Sequence, residues 1–150
     1  MHDAGPTERS RIVVGVDGSP GASAALEWAC AEARLRDVGV YAVCAYDEPW
    51  GIASLGMSSA AAVAELRTAL AADAEGALDA AQATAPEGVG VTGEAVQGAA
   101  GPALVSASDG SALLVVGSRG RGGFKSLQLG SVSQYCAAQA RGVVVVVRAA

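Results

Sequence analysis

Short aliphatic segments alternate with alanine-rich segments along the chain of 150 residues. The aliphatic segments are continuous and rich in β-branched residues, which is typical of strands buried on both faces. The predicted strands are Ile12–Val16, Val38–Ala45, Val89–Gln97, Leu113–Val116 and Val143–Val147. The predicted helices are, in approximate bounds, Pro20–Arg36, Ala60–Ala85, Pro102–Ser108 and Ser131–Ala140. Strands that alternate with helices pair in parallel through right-handed crossovers, so we predict one doubly wound α/β domain.

Length and composition agree with a single domain. Residues 1–10 have the character of a flexible leader, and residues 11–150 form the predicted domain. The longest aliphatic run, Val143–Val147, is too short to span a bilayer. The N-terminus lacks the apolar core of a signal peptide, so we expect a cytoplasmic protein without membrane contact. Thr92 and Glu94 make the third strand more polar, which favours a position near an edge of the sheet.

Cysteine and histidine offer little chemistry in this sequence. Cys30, Cys44 and Cys136 are widely separated, and we predict that they are buried free thiols. The single histidine, His2, lies in the leader. A catalytic triad or a metal site built on histidine is therefore excluded.

The net charge of −5 is distributed unevenly along the chain. All fifteen acidic residues lie at or before Asp109, whereas residues 110–150 contain five basic residues and no acid. An acidic protein with a cationic last quarter should repel nucleic acid as a whole while offering one local anion site. Arg119, Arg121 and Lys125 place three of these charges in one glycine-rich loop.

This loop follows the fourth predicted strand and leads to a helix that begins near Ser131. Its glycines let backbone N–H groups approach a ligand closely, and they are Gly117, Gly120, Gly122, Gly123 and Gly130. The N-terminus of the helix would direct free N–H groups and a favourable dipole at the same place. The combination predicts a phosphate site. Two other interpretations stay open: Ser131 could act only as an N-cap, and the basic residues of the loop could be solvated surface charges.

A second candidate loop follows the first strand at Asp17. Ligands of open α/β sheets bind beyond the carboxyl ends of the strands, where the chain reverses its direction from the centre of the sheet. If the first and fourth strands are neighbours, Asp17 and the glycine-rich loop face one crevice. The residues alone leave this adjacency open, and Asp17 could also serve only to close a turn.

Two common phosphate-binding motifs do not match the loop. A P-loop needs glycine directly before lysine, but Phe124 precedes Lys125. A dinucleotide fingerprint that starts at Gly120 would need a third glycine at position 125. The sequence therefore lacks the main support for kinase-type or dehydrogenase chemistry.

The spacing Gly117-x2-Gly120-x9-Gly130-Ser131 is instead the motif G-2x-G-9x-G-(S/T), and the chain resembles the ATP-binding branch of the universal stress protein family. The segments IVVGVDGSP at residues 12–20 and LLVVGSRG at residues 113–120 extend the resemblance. It covers essentially the whole chain from Arg11 to Arg148. It implies a five-stranded parallel sheet of order 3-2-1-4-5, with helices on both faces and the first and fourth strands adjacent.

The resemblance also implies roles for individual residues. Asp17 would contact the adenosine part of the ligand, Gly15 would add a backbone contact, and the main chain of Ala45 would pair with adenine. The residues expected beside the ribose and phosphates are Gly117, Ser118, Arg119, Gly120, Arg121, Gly130, Ser131, Val132 and Ser133. Pairing of the last strands, Val143–Val147, across a two-fold axis would give a homodimer.

We therefore expect an ATP-binding regulatory protein of the stress-response type, which takes ATP with or without Mg²⁺ and acts on an unknown protein partner. Residues 110–150 contain no carboxylate, and only Asp17 is expected to approach the site. Phosphoryl transfer would thus lack its usual base and metal-holding groups, although slow hydrolysis stays open. The alternatives are a binder of cyclic AMP or AMP, an adenine-nucleotide hydrolase, and an interaction module whose site stays empty.

Overall fold

The computed structural model describes residues 10–47, 59–119 and 129–149. Within these ranges, strands and helices alternate in the predicted order. The strands are β1 (Ile12–Gly15), β2 (Val40–Tyr46), β3 (Val91–Gln97), β4 (Leu113–Gly117) and β5 (Val144–Val147). The helices are α1 (Pro20–Arg36), α2 (Ala60–Ala83), α3 (Ala100–Ala107) and α4 (Ser131–Gln139). The element boundaries differ from the prediction by at most two residues.

These small differences follow from local hydrogen bonding. β2 begins after Val38 because the Val38 N–H donates to the carbonyl of Ala33 at the end of α1. β3 begins after Val89 because the Val89 N–H donates to the carbonyl of Pro86 in a turn. α3 begins two residues before Pro102, since proline is tolerated in a first helical turn, where the N–H groups have no intrahelical acceptor.

The five strands form one parallel sheet in the order β3-β2-β1-β4-β5. The predicted order is confirmed, and so is the edge position of the third strand. β1 and β4 are neighbours, with Ile12 opposite Leu113 and Val14 opposite Val115. The carboxyl ends of both strands therefore lie side by side, which brings Asp17 and the residues that follow β4 to the same edge of the sheet.

Helices cover both faces of the sheet. Val14 faces one layer, formed with α1 and α2, and packs in a cluster with Ala25 of α1 and Leu78 of α2. Val13 points the other way into a cluster with Leu104 of α3 and Cys136 of α4. The side chains of a strand alternate between its two faces. Since helices cover both faces here, three consecutive residues of β1 are fully buried.

The cysteines agree with the prediction. Cys30, Cys44 and Cys136 are buried thiols that form no disulfide within the described residues. Burial raises the pKa of the Cys30 and Cys136 thiols, because a thiolate is poorly solvated in the core. No helix in the described ranges is both long enough and apolar enough to cross a membrane.

Candidate functional site

A cavity of about 580 Å³ opens at the carboxyl ends of β1, β2 and β4. Residues from α2 line it on one side of the sheet, and the first residues of α3 and α4 line it on the other. This is the position at which open α/β sheets bind their ligands. Because β1 and β4 are adjacent, Asp17 and the residues that follow β4 line the same crevice, a point that could not be decided from the residues alone.

Within the described residues, no side chain caps α4 where it enters this cavity. Its N-cap residue is Gly130 in an extended conformation, and Ser131 is already the first helical residue. The interpretation of Ser131 as an N-cap is therefore wrong. In α1, by contrast, the hydroxyl of Ser19 caps the helix by accepting the N–H of Ala22 at 3.2 Å. No side chain in the described part of the protein provides such an acceptor for the first N–H groups of α4, and groups of this kind attract an anion.

Ser131, Val132 and Ser133 all line the cavity next to these N–H groups. Ser133 is buried, and its hydroxyl donates to the carbonyls of Gly130 at 2.9 Å and Ser118 at 3.2 Å. Its hydroxyl hydrogen is thus used within the protein, which leaves Ser133 its backbone N–H as a donor toward the cavity. The exposed guanidinium of Arg119 adds positive charge at the same end.

Asp17 lies beside this end, where β1 turns into α1. Its Oδ1 accepts the N–H of Ser19 at 2.8 Å, so the carboxylate does close a turn. Asp17 and Gly15 both line the cavity as well. Asp17 therefore closes a turn and lines the cavity at the same time.

β2 extends further than β1 and leaves backbone groups at the cavity. At this end of the sheet, the last hydrogen bond that links β2 to the segment following β1 runs from the Val16 N–H to the Val43 carbonyl at 3.0 Å. Residues of a strand in a parallel sheet bond alternately to the two neighbouring strands, so Ala45 faces the β1 side as Val43 does. β1 has already ended at Gly15. The N–H and C=O of Ala45 therefore face the cavity, where Ala45 is a lining residue.

The cavity is also lined by two carboxylates that we did not predict from the sequence. Asp47 follows β2 directly, and Asp73 lies on α2. The expectation that only Asp17 approaches the site is therefore wrong. The α2 side of the cavity carries Leu70, Ala74 and Ala77 as well. Their spacing was visible in the sequence, but alanine on every side of α2 hides which face meets the sheet.

Most of the predicted site residues are brought together by the fold. Those that line the cavity are Gly15, Asp17, Ala45, Gly117, Arg119, Gly130, Ser131, Val132 and Ser133. Ser118 does not line it: its N–H donates to Val147 at 2.8 Å, and its carbonyl accepts the N–H of Gly130 at 2.6 Å. Ser118 thus connects β4, β5 and the start of α4. Gly120 and Arg121, like Lys125, lie outside the described residues.

Comparisons with a family model and with curated proteins point to the same protein family. The model of the universal stress protein family matches residues 8–148. Universal stress protein Rv1996 of Mycobacterium tuberculosis is 33% identical over 157 residues, which cover 91% of this chain and 47% of that protein. The chain thus spans about half the length of the curated relatives that it matches.

Solved structures have the same fold. Universal stress protein UspA from Lactobacillus plantarum superposes with a TM-score of 0.80 at 23% identity, over 93% of this chain and 98% of that one. A universal stress protein in complex with cAMP gives a TM-score of 0.62 at 26% identity, over 94% and 98% of the two chains. Further neighbours include an Arabidopsis thaliana family protein with AMP bound (TM-score 0.63, 17% identity, 94% and 92% covered). Sequence and structure agree that the chain belongs to the universal stress protein family.

Proposed function

We propose that this protein binds ATP in the cavity and acts as a regulatory protein whose partner surface depends on nucleotide occupancy. The observation that carries the proposal is the uncapped N-terminus of α4, which opens into the cavity beside Arg119. Helix N–H groups and a guanidinium both favour phosphate oxygens. Gly130, the residue directly before the helix, brings only backbone atoms to this end of the cavity.

The opposite end of the cavity suits the base. The N–H and C=O of Ala45 face the place where β1 has ended, and they offer one donor and one acceptor. Adenine presents the complementary pair, a ring nitrogen that accepts and an amine that donates. The apolar residues Ala74 and Ala77 of α2 lie at the same cavity and would cover a flat ring. The carboxylate of Asp17 lines the same cavity and suits the ribose hydroxyls.

The size of the cavity and the structural neighbours support the same ligand class. A volume of about 580 Å³ falls within the range of small-molecule sites. Family structures hold cAMP and AMP, and one from Archaeoglobus fulgidus holds dAMP (TM-score 0.61, 22% identity, 91% and 96% covered). An adenine nucleotide is therefore the ligand that fits both the fold and the chemistry of the lining.

A regulatory role agrees better with the site than a catalytic one. Universal stress proteins are generally regulatory rather than catalytic. Among the described residues, no three His, Cys, Asp or Glu side chains gather closely enough to hold a metal ion. A Mg²⁺ ion that accompanies ATP would then be held chiefly by the phosphates and water. Efficient phosphoryl transfer needs a metal and a base positioned by the protein, so we propose binding without tuned turnover.

A binder of cAMP or AMP is the second candidate, because neighbouring structures hold these ligands. Titration calorimetry of the full chain with ATP, AMP and cAMP distinguishes the two. If the α4 N-terminus and Arg119 bind the outer phosphates, ATP binds more tightly than AMP or cAMP. Equal or tighter binding of cAMP would contradict the choice of ATP, and absence of binding by all three would support a nucleotide-free interaction module.

We also propose that two copies of the chain pair through β5. This strand lies at an edge of the sheet, and β4 is its partner in the described part of the chain. Val143, directly before β5, is 59% exposed, and the four valines of the strand are half-buried. An apolar edge strand with unpaired backbone groups is a template for pairing with another strand. A two-fold pairing of β5 with its copy would cover it.

A further inference from the structure

One face of α2 contributes a single charged side chain to the cavity within the described residues. Leu70, Asp73, Ala74 and Ala77 line the cavity from this helix. Their spacing of i, i+3, i+4 and i+7 places them on one helical face. Ala74 is 4% exposed because it packs on the sheet, which fixes the rotation of the helix about its axis. Asp73 is therefore held at the cavity by the packing of its neighbour.

The carboxylate of Asp73 is available for a ligand. Asp73 is exposed, and no hydrogen bond or ion pair joins it to another residue within the described ranges. It lies on the α2 side of the cavity, whereas Arg119 and Ser131 line it from beyond β4. The carboxylate thus enters the cavity from a different element than the residues of the proposed phosphate site.

The neighbours of Asp73 indicate which part of a nucleotide it meets. Ala45 and Tyr46 of β2 line the cavity together with the α2 face. An amine on a purine ring has two N–H groups, and the carbonyl of Ala45 can accept one of them. A carboxylate on the covering helix can accept the other, and it has no hydrogen with which to satisfy a ring oxygen.

We propose that Asp73 is a specificity-determining residue that selects 6-aminopurine over 6-oxopurine nucleotides. This inference rests on the proposed function of the cavity as an adenine-nucleotide site. The carboxylate of Asp73 accepts a hydrogen bond from the exocyclic amine. A 6-oxo group at the same position places one acceptor against another, so the hydrogen bond is lost and the two oxygens repel each other. Sites built to hydrogen-bond one group discriminate strongly against its replacement.

Calorimetric titrations of the full chain with ATP, inosine triphosphate, AMP and dATP test this role. The variant is Asp73→Asn, which keeps the size of the side chain and adds an amide that can donate to a 6-oxo group. The matched control is Asp79→Asn, an exposed acid of the same helix outside the cavity lining. Both positions are exposed, so the fold of α2 does not depend on either carboxylate.

We expect Asp73→Asn to prefer ATP over inosine triphosphate by a smaller factor than the wild-type chain does. Asp73→Asn lowers the affinity for ATP by up to about tenfold, because the neutral amide oxygen accepts a weaker hydrogen bond than the carboxylate does. AMP loses the same factor, because ATP and AMP share the base. Inosine triphosphate loses little or binds more tightly, so the ratio of the two affinities falls. Asp79→Asn leaves all four affinities unchanged.

Three outcomes would overturn the role of Asp73 while ATP still binds the wild-type chain. The first is an unchanged ratio of ATP to inosine triphosphate affinity in Asp73→Asn. The second is a change confined to the ratio of ATP to dATP, which would place the carboxylate at the ribose. The third is tighter binding of ATP but not of AMP, which would place it beside the phosphates. A wild-type chain that binds no nucleotide would instead overturn the proposed function itself, and this inference with it.

Discussion

The backbone of Gly117 at the end of β4 packs directly against the backbone of Gly21 in the first turn of α1. A Cβ atom on Gly117 would lie 2.7 Å from the carbonyl oxygen of Gly21 and 2.8 Å from its carbonyl carbon. Real Cβ atoms do not approach backbone atoms so closely. Gly21 in turn packs against the carbonyl of Arg119. Gly117 therefore allows α1 to pack closely against the end of β4, at the edge of the cavity that it also lines.

Replacement of Gly117 by alanine is accordingly expected to destabilise the protein without any ligand. The strain of an added methyl group in a packed interior corresponds to about 1–3 kcal/mol. Gly76 is the matched control, because it lies within α2 and a Cβ there would meet nothing within 4 Å. Gly76→Ala should stabilise the protein by about 0.5–1 kcal/mol through its helix propensity. Urea denaturation measures both changes, and equal stability of the two variants would contradict the packing role.

The alternation of strands and helices was predictable because several strands are continuous aliphatic runs bounded by turn residues. Ile12–Val16 and Leu113–Val116 are such runs, and both are strands at nearly those bounds. The order of the strands in the sheet could not be predicted from such runs. β1 contacts β4 through residues about a hundred positions apart, and only the resemblance to a known family supplied that order.

The residues that line the cavity were predictable on the side of β4 and α4 and not on the side of α2. Glycine spacing marks where the backbone approaches a ligand, so the residues around Gly117 and Gly130 could be chosen from the sequence. Asp73 could not, because the rotation of α2 depends on how Ala74 and Leu78 pack on the sheet. A helix rich in alanine on all sides does not reveal that rotation in its sequence.

Arg119 is expected to bind the outer phosphates, so its removal should discriminate among nucleotides. Arg119→Ala lowers the affinity for ATP by about tenfold, the scale of a charge-assisted contact, and lowers that for AMP much less. Arg141→Ala is the control, since Arg141 is exposed and lies outside the cavity lining. Calorimetry at one fixed ionic strength avoids differences in screening. A loss of the same factor for ATP and AMP would show that Arg119 does not act on the outer phosphates.

The buried thiols should react only at high pH or after unfolding. A raised pKa means that Cys30 and Cys136 hold less thiolate at a given pH than an exposed cysteine, whose pKa is about 9.0. In the unfolded chain the thiols ionise first as the pH rises. Their contribution to stability is therefore complete below pH 9.0 and is lost as the pH increases through the folded pKa values.

Alkylation by iodoacetamide, followed by peptide mass spectrometry, measures this protection. Labelling of Cys30 and Cys136 at pH 8 should be slow in the folded protein and fast in urea. Equal rates in the two conditions would show that the thiols are accessible in the native state.

The proposed dimer can be disrupted at the edge of β5 without loss of the ladder to β4. The carbonyls of Val143 and Val147 bond to β4, so the alternation of a parallel ladder points the N–H of Val146 outward. Val146→Pro removes this outward donor and spares the bonds to β4. Light scattering should give twice the 14.7 kDa of one chain for the wild type and a single chain for the variant. A wild-type monomer at micromolar concentration, or a dimer that persists in Val146→Pro, would contradict pairing through β5.

The most direct test of the ATP site is a crystal structure of the chain grown with ATP. The predicted result has phosphate oxygens within hydrogen-bond distance of the N–H groups of Ser131, Val132 and Ser133, and adenine paired with the backbone of Ala45. A cavity that stays empty at saturating ATP, or phosphates placed away from the start of α4, would contradict the proposed site.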